Sequence, residues 1–371
     1  MNKALQIAID FRWLDHLSPG SGQFRYAVDL INGLVEAQSP YRFLFLGSKP
    51  EPIAEVAQVF AQSYDWKYEA IPRLNGRGWL YREQAQYLRM LRKLNINLLH
   101  ALHTFVPIYP PVPVVETVYD LMYELFPDYS AAVQSREYRM HKWAFERFVT
   151  RAIAISKTTA LDLSRLWHYP ANQIDVVYLG PKLPAIDRVQ RQEPPVILSP
   201  YNLEPRKNLS LLLRAAAILK ASGLEFRLVL FGRAAIDEAR ERAFRQELSQ
   251  LGLESRTELT GRVSDEELVR WYASSSVFVF PSLYEGFGLP VLEAMSAGAR
   301  VVAHHASAMA EIVGDAGYLV DMTNTLAITD AIQKAMSDSF IGAEAAQRSR
   351  EFNRDRMVRE TLAVYAKALS L

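Results

Sequence analysis

The sequence predicts a two-domain α/β protein in which each domain is a parallel sheet covered by helices on both faces. Three observations carry this. Short apolar runs alternate with helical periodicity along nearly the whole chain, the pattern of repeated βα units. The alternation stops at residues 180–195, a stretch rich in proline and charge, and then restarts, which marks a linker. The chain has 371 residues, of which 50% are hydrophobic and 22% charged, enough apolar material for two ordinary soluble cores.

In the first half, Leu5–Ile9 reads as a buried strand and a turn-rich loop, Leu17 to Gly22, leads to a helix over Gln23–Ala37. Tyr41–Gly47 and Trp66–Ile71 are aromatic-rich strands on either side of a helix at Glu51–Ser63. A basic helix follows over Leu80–Lys93, preceded by Arg73, Arg77 and Trp79. Its plain reading is a packed helix with a solvated basic face; its sharper reading is a weak peripheral contact with a membrane surface or an anionic lipid-linked molecule. Asn97–Leu102 and Val112–Val118 are strands whose ends carry His100 and His103, and Tyr119 and Asp120. A helix at Gln134–Thr150, a strand at Ala152–Ser156, a helix at Thr158–Leu166 and a strand at Ile174–Leu179 complete this half.

Beyond the linker come strand Val196–Leu198, helix Leu209–Ser222, strand Phe226–Phe231, helix Ala235–Leu251, strand Thr257–Leu259, helix Asp265–Ala273 and strand Val277–Phe280. Helix Pro290–Ala297, strands Arg300–Ala303 and Gly317–Val320, and helices near Thr325–Ser337, Ala343–Phe352 and Asp355–Leu369 follow.

Composition excludes several classes. A formal net charge of +1 gives no global field for nucleic acid. With no cysteine there is neither a disulfide framework nor a thiol nucleophile. The amino-terminal apolar run is too short for a signal peptide, and no run approaches membrane-spanning length. A cytoplasmic protein is expected, with the inner face of the cell membrane as the place where the basic helix would make any contact.

Two loops concentrate chemistry. After Val277–Phe280 comes Ser282-Leu-Tyr-Glu-Gly-Phe-Gly-Leu-Pro-Val-Leu-Glu293, in which a strand delivers a glycine-bearing loop to a helix starting at Pro290 and closing at Gly298. Gly286 and Gly288 leave room for a ligand to approach the backbone and the free N–H groups of the helix start, with Phe287 and Leu289 in the same loop. Glu285 in the loop and Glu293 in the first helical turn can each accept two hydroxyl hydrogen bonds, as ribose or sugar diols require. The second loop, Ser199-Pro-Tyr-Asn-Leu-Glu-Pro-Arg-Lys-Asn208, places Arg206 and Lys207 at a helix start. Cations oppose the dipole there, which makes sense if an anion lies between them.

Glu285-Gly-Phe-Gly-Leu-Pro-Val-Leu-Glu293 resembles the E-x7-E signature of family-four retaining glycosyltransferases with the GT-B fold. The run from Gly261-Arg-Val-Ser-Asp-Glu-Glu-Leu through Gly298 to Glu311 and Asp321 fits the carboxyl-terminal half of that family, and Glu204-Pro-Arg-Lys-Asn208 resembles its donor-diphosphate motif. The resemblance implies two Rossmann-like parallel-sheet domains facing across a cleft: an acceptor-side domain at 1–183, a nucleotide-sugar domain at 184–354 and a carboxyl-terminal helix at 355–371 crossing back to the first. It implies retaining transfer of a hexose from a UDP- or GDP-sugar to a hydroxyl of a glycan or lipid-linked acceptor, in polysaccharide or glycoconjugate assembly. No cofactor beyond that co-substrate is expected, and no metal, because Arg206, Lys207 and N–H dipoles answer the diphosphate charge.

By the same resemblance Gly20 and Gly22 would meet the donor's phosphates, and Arg25 and His103 would lie on the acceptor side. Arg262 and Val263 would border the base. Tyr119 precedes Asp120 where the family commonly has histidine before aspartate, so either Tyr119 replaces the sugar-contacting histidine with its hydroxyl or His103 covers part of that role; the alternative for Tyr119 is a ring packed in the core with its hydroxyl on a backbone carbonyl. A nucleotide-sugar epimerase or a phosphorylase on the same fold, and a non-catalytic scaffold subunit, are the competing readings. Length disfavours the phosphorylase, and the intact glutamates and Arg-Lys pair disfavour the scaffold.

Overall fold

In the computed structural model of the chain, residues 4–13, 17, 21–52, 54–60, 66–71, 79–102, 106–126, 129–180, 190–232 and 237–370 are described. The chain divides into two compact units, Met1–Lys182 with Phe352–Leu371, and Leu183–Glu351.

The first unit is built on seven parallel strands: β1 (Gln6–Asp10), β2 (Arg42–Gly47), β3 (Trp66–Ala70), β4 (Leu98–Ala101), β5 (Val114–Val118), β6 (Arg151–Ala154) and β7 (Ile174–Val176), in the order β3-β2-β1-β4-β5-β6-β7. The second has six: β8 (Val196–Pro200), β9 (Arg227–Phe231), β10 (Thr257–Gly261), β11 (Val277–Phe280), β12 (Val301–His304) and β13 (Tyr318–Val320), in the order β10-β9-β8-β11-β12-β13. Every ladder is parallel, with registers such as Phe278 beside Val301 and Val277 beside Ile197. Strands covered on both faces must be apolar throughout, and Val196–Leu198, Leu228–Leu230 and Val277–Val279 are all fully buried. The fold class expected from the sequence is the one observed.

Both orders reverse direction once, at β1/β4 in the first unit and at β8/β11 in the second. Loops leaving the carboxyl ends of two adjacent strands at such a reversal diverge and leave room between them, which is where open α/β sheets hold ligands. The loops leaving β8 and β11 are the two singled out in the sequence.

Several boundaries differ from those expected, for local reasons. The helix expected over Gln134–Thr150 runs Arg136–Phe148, set off from a separate short helix Ser130–Gln134, because Ser135 turns extended and its hydroxyl accepts the Tyr138 amide at 3.1 Å as an N-cap. The helix after β9 runs Glu238–Gln250, starting where Asp237 accepts the amides of Ala239 and Arg240. The last helix, Arg354–Leu369, packs within the first unit. Gly180 lets the Asn353 backbone approach to where a Cβ would be 2.1 Å from its carbonyl oxygen. Lys367 pairs with Asp175 at 2.5 Å, and the Tyr365 hydroxyl meets His100 Nδ1 at 2.7 Å. His100, read as a core residue, is fully buried, and its Nε2 lies 2.9 Å from the Thr117 hydroxyl. No helix among the described residues is long and apolar enough to cross a membrane.

Candidate functional site

The site is assembled by backbone ties between the two loops at the β8/β11 reversal. From Pro200 the chain passes through Tyr201, whose amide is held by the Phe231 carbonyl at 2.7 Å, and Asn202, whose side chain accepts the Glu204 amide at 2.9 Å. It then makes a single 3-10 turn, Pro205–Lys207. Arg206 and Lys207 therefore do not open the following helix, Leu209–Ala221, as the sequence suggested. Asn208 stands between them in a left-handed conformation (φ 57°), which asparagine tolerates better than most residues. Its side-chain amide donates to the carbonyls of Pro281 (3.2 Å) and Met322 (2.7 Å), locking the turn to the loop after β11. The Leu283 amide donates to the Arg206 carbonyl at 2.8 Å and completes the join.

This scaffold brings Arg206, Lys207 and Glu285 together. Lys207 Nζ is 2.5 Å from Glu285 Oε1, and Arg206 is 3.4 Å from the same oxygen. The Ser282 hydroxyl donates to it as well, at 2.6 Å. Arg206 also pairs with Glu204 at 3.0 Å and donates to the Tyr284 carbonyl at 3.3 Å. All three central side chains are mostly withdrawn from solvent: 12% exposed for Arg206, 19% for Lys207 and 14% for Glu285. Burial pushes the Glu285 carboxyl up, but Lys207, Arg206 and the Ser282 hydrogen bond outweigh it and hold the group below the usual carboxylate range. It is a carboxylate, and a poor base. Glu204 and Glu285 balance the two cations and hold them side by side.

The helix after the loop runs Leu289–Ser296, one residue earlier than expected, with Gly288 as N-cap and Pro290 second. Glu293 is thus the fifth helical residue, just past the first turn, and is 7% exposed. Its Oε2 accepts from the Tyr272 hydroxyl at 3.4 Å. The helix start is less of an anion cradle than the sequence suggested: Pro290 has no N–H, and the amides of Val291 and Leu292 both donate to the Gly288 carbonyl. Gly288 is explained by packing. Its φ is 105°, and a Cβ there would lie 2.1 Å from Met309 Cε. Gly286, Phe287 and Leu289 are buried with it.

The remaining expected residues fall as follows. Arg262 is exposed directly after β10, with Val263 half-buried beside it. In the first unit, Gly22 begins the helix Gly22–Glu36, capped by the Ser21 hydroxyl, and Arg25 is half-buried in its first turn. Asp120 accepts the Met122 amide at 3.1 Å, capping a short helical turn. Gly20 and His103 lie outside the described residues. Tyr119 takes the core arrangement: its hydroxyl donates to the Leu102 carbonyl at 2.9 Å, and its ring meets Tyr26 edge-on at 5.6 Å. The one proton that would have replaced a histidine's is committed to the backbone.

Ser282, Glu204 and Asn208 lie in the two loops read from the sequence, but no individual role was assigned to them there. Ser282 and Glu285 share a three-residue spacing, and Asn208 directly follows the Arg-Lys pair, but neither signal points across 70 residues to the other loop. A second omission is in the first unit, where Asp10 and Arg12 form a fully buried pair at 2.9 Å beside Glu83 and Tyr87.

Two doubly wound parallel-sheet units, the second with a half-buried cation pair at its topological reversal, form the architecture of a GT-B glycosyltransferase. The comparisons narrow this: residues 186–356 match the family described as glycosyl transferases group 1, and residues 20–183 match glycosyltransferase family 4. The chain belongs to this family of glycosyltransferases. It is 30% identical over 229 residues to the O-antigen chain mannosyltransferase B of Escherichia coli, covering 57% of this chain and 59% of that protein. It is 30% identical over 236 residues to the MMP alpha-(1->4)-mannosyltransferase of Mycolicibacterium hassiacum, covering 60% of this chain and 56% of the relative. The chain thus spans little more than half the length of these curated relatives. Among solved structures, sucrose-phosphate synthase from Thermosynechococcus elongatus shares the fold with a TM-score of 0.74 at 19% identity, covering 99% of both chains. Anabaena HepE in complex with UDP-glucose does so with a TM-score of 0.71 at 18% identity, covering 99% of this chain and 100% of that one.

Proposed function

We propose that the chain transfers a hexose, with retention, from a nucleoside diphosphate sugar to a hydroxyl of a glycan or lipid-linked acceptor. Mannose is the first sugar to test, because both curated relatives named above are mannosyltransferases. The observation that carries the reading is the pairing of Arg206 and Lys207 on one carboxylate oxygen at the β8/β11 reversal.

In this reading the donor diphosphate joins Glu285 as an acceptor of the N–H bonds that Arg206 and Lys207 donate. The bond from the anomeric carbon to the β-phosphate oxygen breaks, and the acceptor oxygen bonds to the same face of that carbon. The acceptor's proton passes to the departing phosphate oxygen. Glu285 suits this route because its lowered basicity makes it a poor proton acceptor, while its carboxylate can hold Lys207 and accept a sugar hydroxyl. Charge on the leaving diphosphate grows as the bond breaks, so fixed cations favour the transition state over the bound donor. Glu293 would accept the ribose hydroxyls, oriented by Tyr272. With the leaving charge met by Arg206 and Lys207, no divalent ion is required for transfer. Activity abolished by a chelator and restored by magnesium or manganese would contradict that point.

The test is incubation of the purified chain with GDP- and UDP-hexoses and saccharide acceptors. Release of nucleoside diphosphate with the hexose joined to the acceptor in its original anomeric configuration is the expected result. Conversion of the donor to an epimer without an acceptor would favour an epimerase on this fold, and no turnover of any donor would favour a scaffold.

A further inference from the structure

The carboxyl edge of the second sheet gathers a second group of side chains. β12 ends on His304, and the next residue is also histidine; β13 ends on Val320 and is followed by Asp321. The strands are parallel neighbours with His304 beside Val320, so the register alone delivers two imidazoles and a carboxylate to one place. One ligand atom from each residue lies within 4.8 Å of the others. The two rings meet edge to face with centroids 4.7 Å apart. His304 is buried while His305 and Asp321 are exposed, which leaves an approach from solvent.

The Val320 carbonyl anchors both rings. It accepts the His305 amide at 2.9 Å and lies 3.3 Å from His304 Nδ1 and 3.1 Å from His305 Nδ1. An oxygen with two lone pairs, one already taken, can accept a proton from only one ring. The ring that donates has its other nitrogen fixed as a lone-pair donor, the arrangement by which backbone carbonyls orient metal-bound histidines. The Met322 amide donates to His304 Nδ1 at 3.3 Å, so His305 is the ring that gives its proton to the carbonyl and keeps Nε2 as a lone-pair donor, and His304 would bind a cation through Nε2 by moving that proton to Nδ1. Asp321 is oriented as well: Oδ1 accepts the Thr323 amide at 2.9 Å and its hydroxyl at 2.7 Å, so Oδ2 is the oxygen a cation would take. Behind it Met322 is fully buried, with its carbonyl held by Asn208, so Asp321 projects from a fixed support.

We propose that His304, His305 and Asp321 form a binding site for a divalent transition metal of the zinc type. Two imidazole nitrogens and one carboxylate are a ligand set that such ions accept. Magnesium and calcium prefer all-oxygen surroundings and would bind weakly. This assignment does not depend on the transfer chemistry proposed above.

Calorimetric titration of the untagged full chain with zinc chloride tests the proposal. The wild type should show a saturable site for zinc and none of comparable affinity for magnesium. His305→Ala and Asp321→Asn, both at exposed positions, should each raise the zinc Kd about 10- to 100-fold or more. His168→Ala, which removes an exposed histidine from the first unit, should leave it unchanged. Circular dichroism would verify folding, and Asp321→Asn carries the test if His305→Ala does not fold. No zinc binding by the wild type, magnesium binding as tight as zinc, or an unchanged Kd in the folded ligand variants would overturn the assignment.

Discussion

Single residues divide here between those that hold a charge ready and those that hold the frame. Glu293 belongs to the first group in the proposed function, since its carboxylate is buried near the start of the helix after β11, where the Tyr272 hydroxyl donates to it at 3.4 Å. Glu293→Gln should raise the Kd of the nucleoside diphosphate about tenfold or more, the loss of a charge-assisted hydrogen bond worth roughly 1.5–3 kcal/mol. An unchanged Kd in calorimetry would remove the ribose assignment. Tyr119 belongs to the second group. Tyr119→Phe loses the bond to the Leu102 carbonyl and should cost about 0.5–1.5 kcal/mol of stability while transfer stays near wild type. A tenfold slower transfer at an unchanged melting temperature would return the residue to the chemistry. Residue identity was legible for Arg206, Lys207 and Glu285 because their types and loop positions suit an anion. Their mutual pairing was not, because it is set by contacts between segments some 80 positions apart.

At the scale of elements, the helix starts were the least legible features. Sequence periodicity shows that a helix exists, whereas its first residue is set by a side chain that turns back onto the backbone. Ser135 and Asp237 do this, and Asn208 does the reverse by separating the Arg-Lys turn from the helix behind it. The glycine of the loop after β11 likewise reads differently once the fold is known. Gly286 and Gly288 suggested access for a ligand, yet Gly288 faces Met309 and holds a positive φ. Gly288→Ala should therefore destabilise the second unit by about 1–3 kcal/mol through backbone strain and displacement of Met309. Denaturant unfolding of the purified variant measures this, and wild-type stability would show that the turn relaxes without cost.

At the scale of the whole molecule, fold class and the two-sheet organisation were plain in the sequence, since strands buried on both faces announce themselves as continuous apolar runs. Buried polar groups were not, because nothing local distinguishes them from surface ones; the Asp10–Arg12 pair and the partners of His100 needed the assembled sheet. His100 gives a prediction for global stability. Burial lowers its pKa from 6.5 to about 3, so its neutral form supports folding fully above pH 6.5, and that support is lost as pH falls towards 3. The slope should approach about 1.4 kcal/mol per pH unit below 6.5, and unfolding curves of His100→Gln should lack that component. The central claim, that Arg206 and Lys207 neutralise a leaving diphosphate, is tested most directly by steady-state kinetics of Lys207→Ala with the donor that the wild type turns over. The proposed function predicts a fall in kcat of about 100-fold with a smaller change in donor KM. Wild-type kcat with a raised KM, or transfer at the wild-type rate, would contradict it.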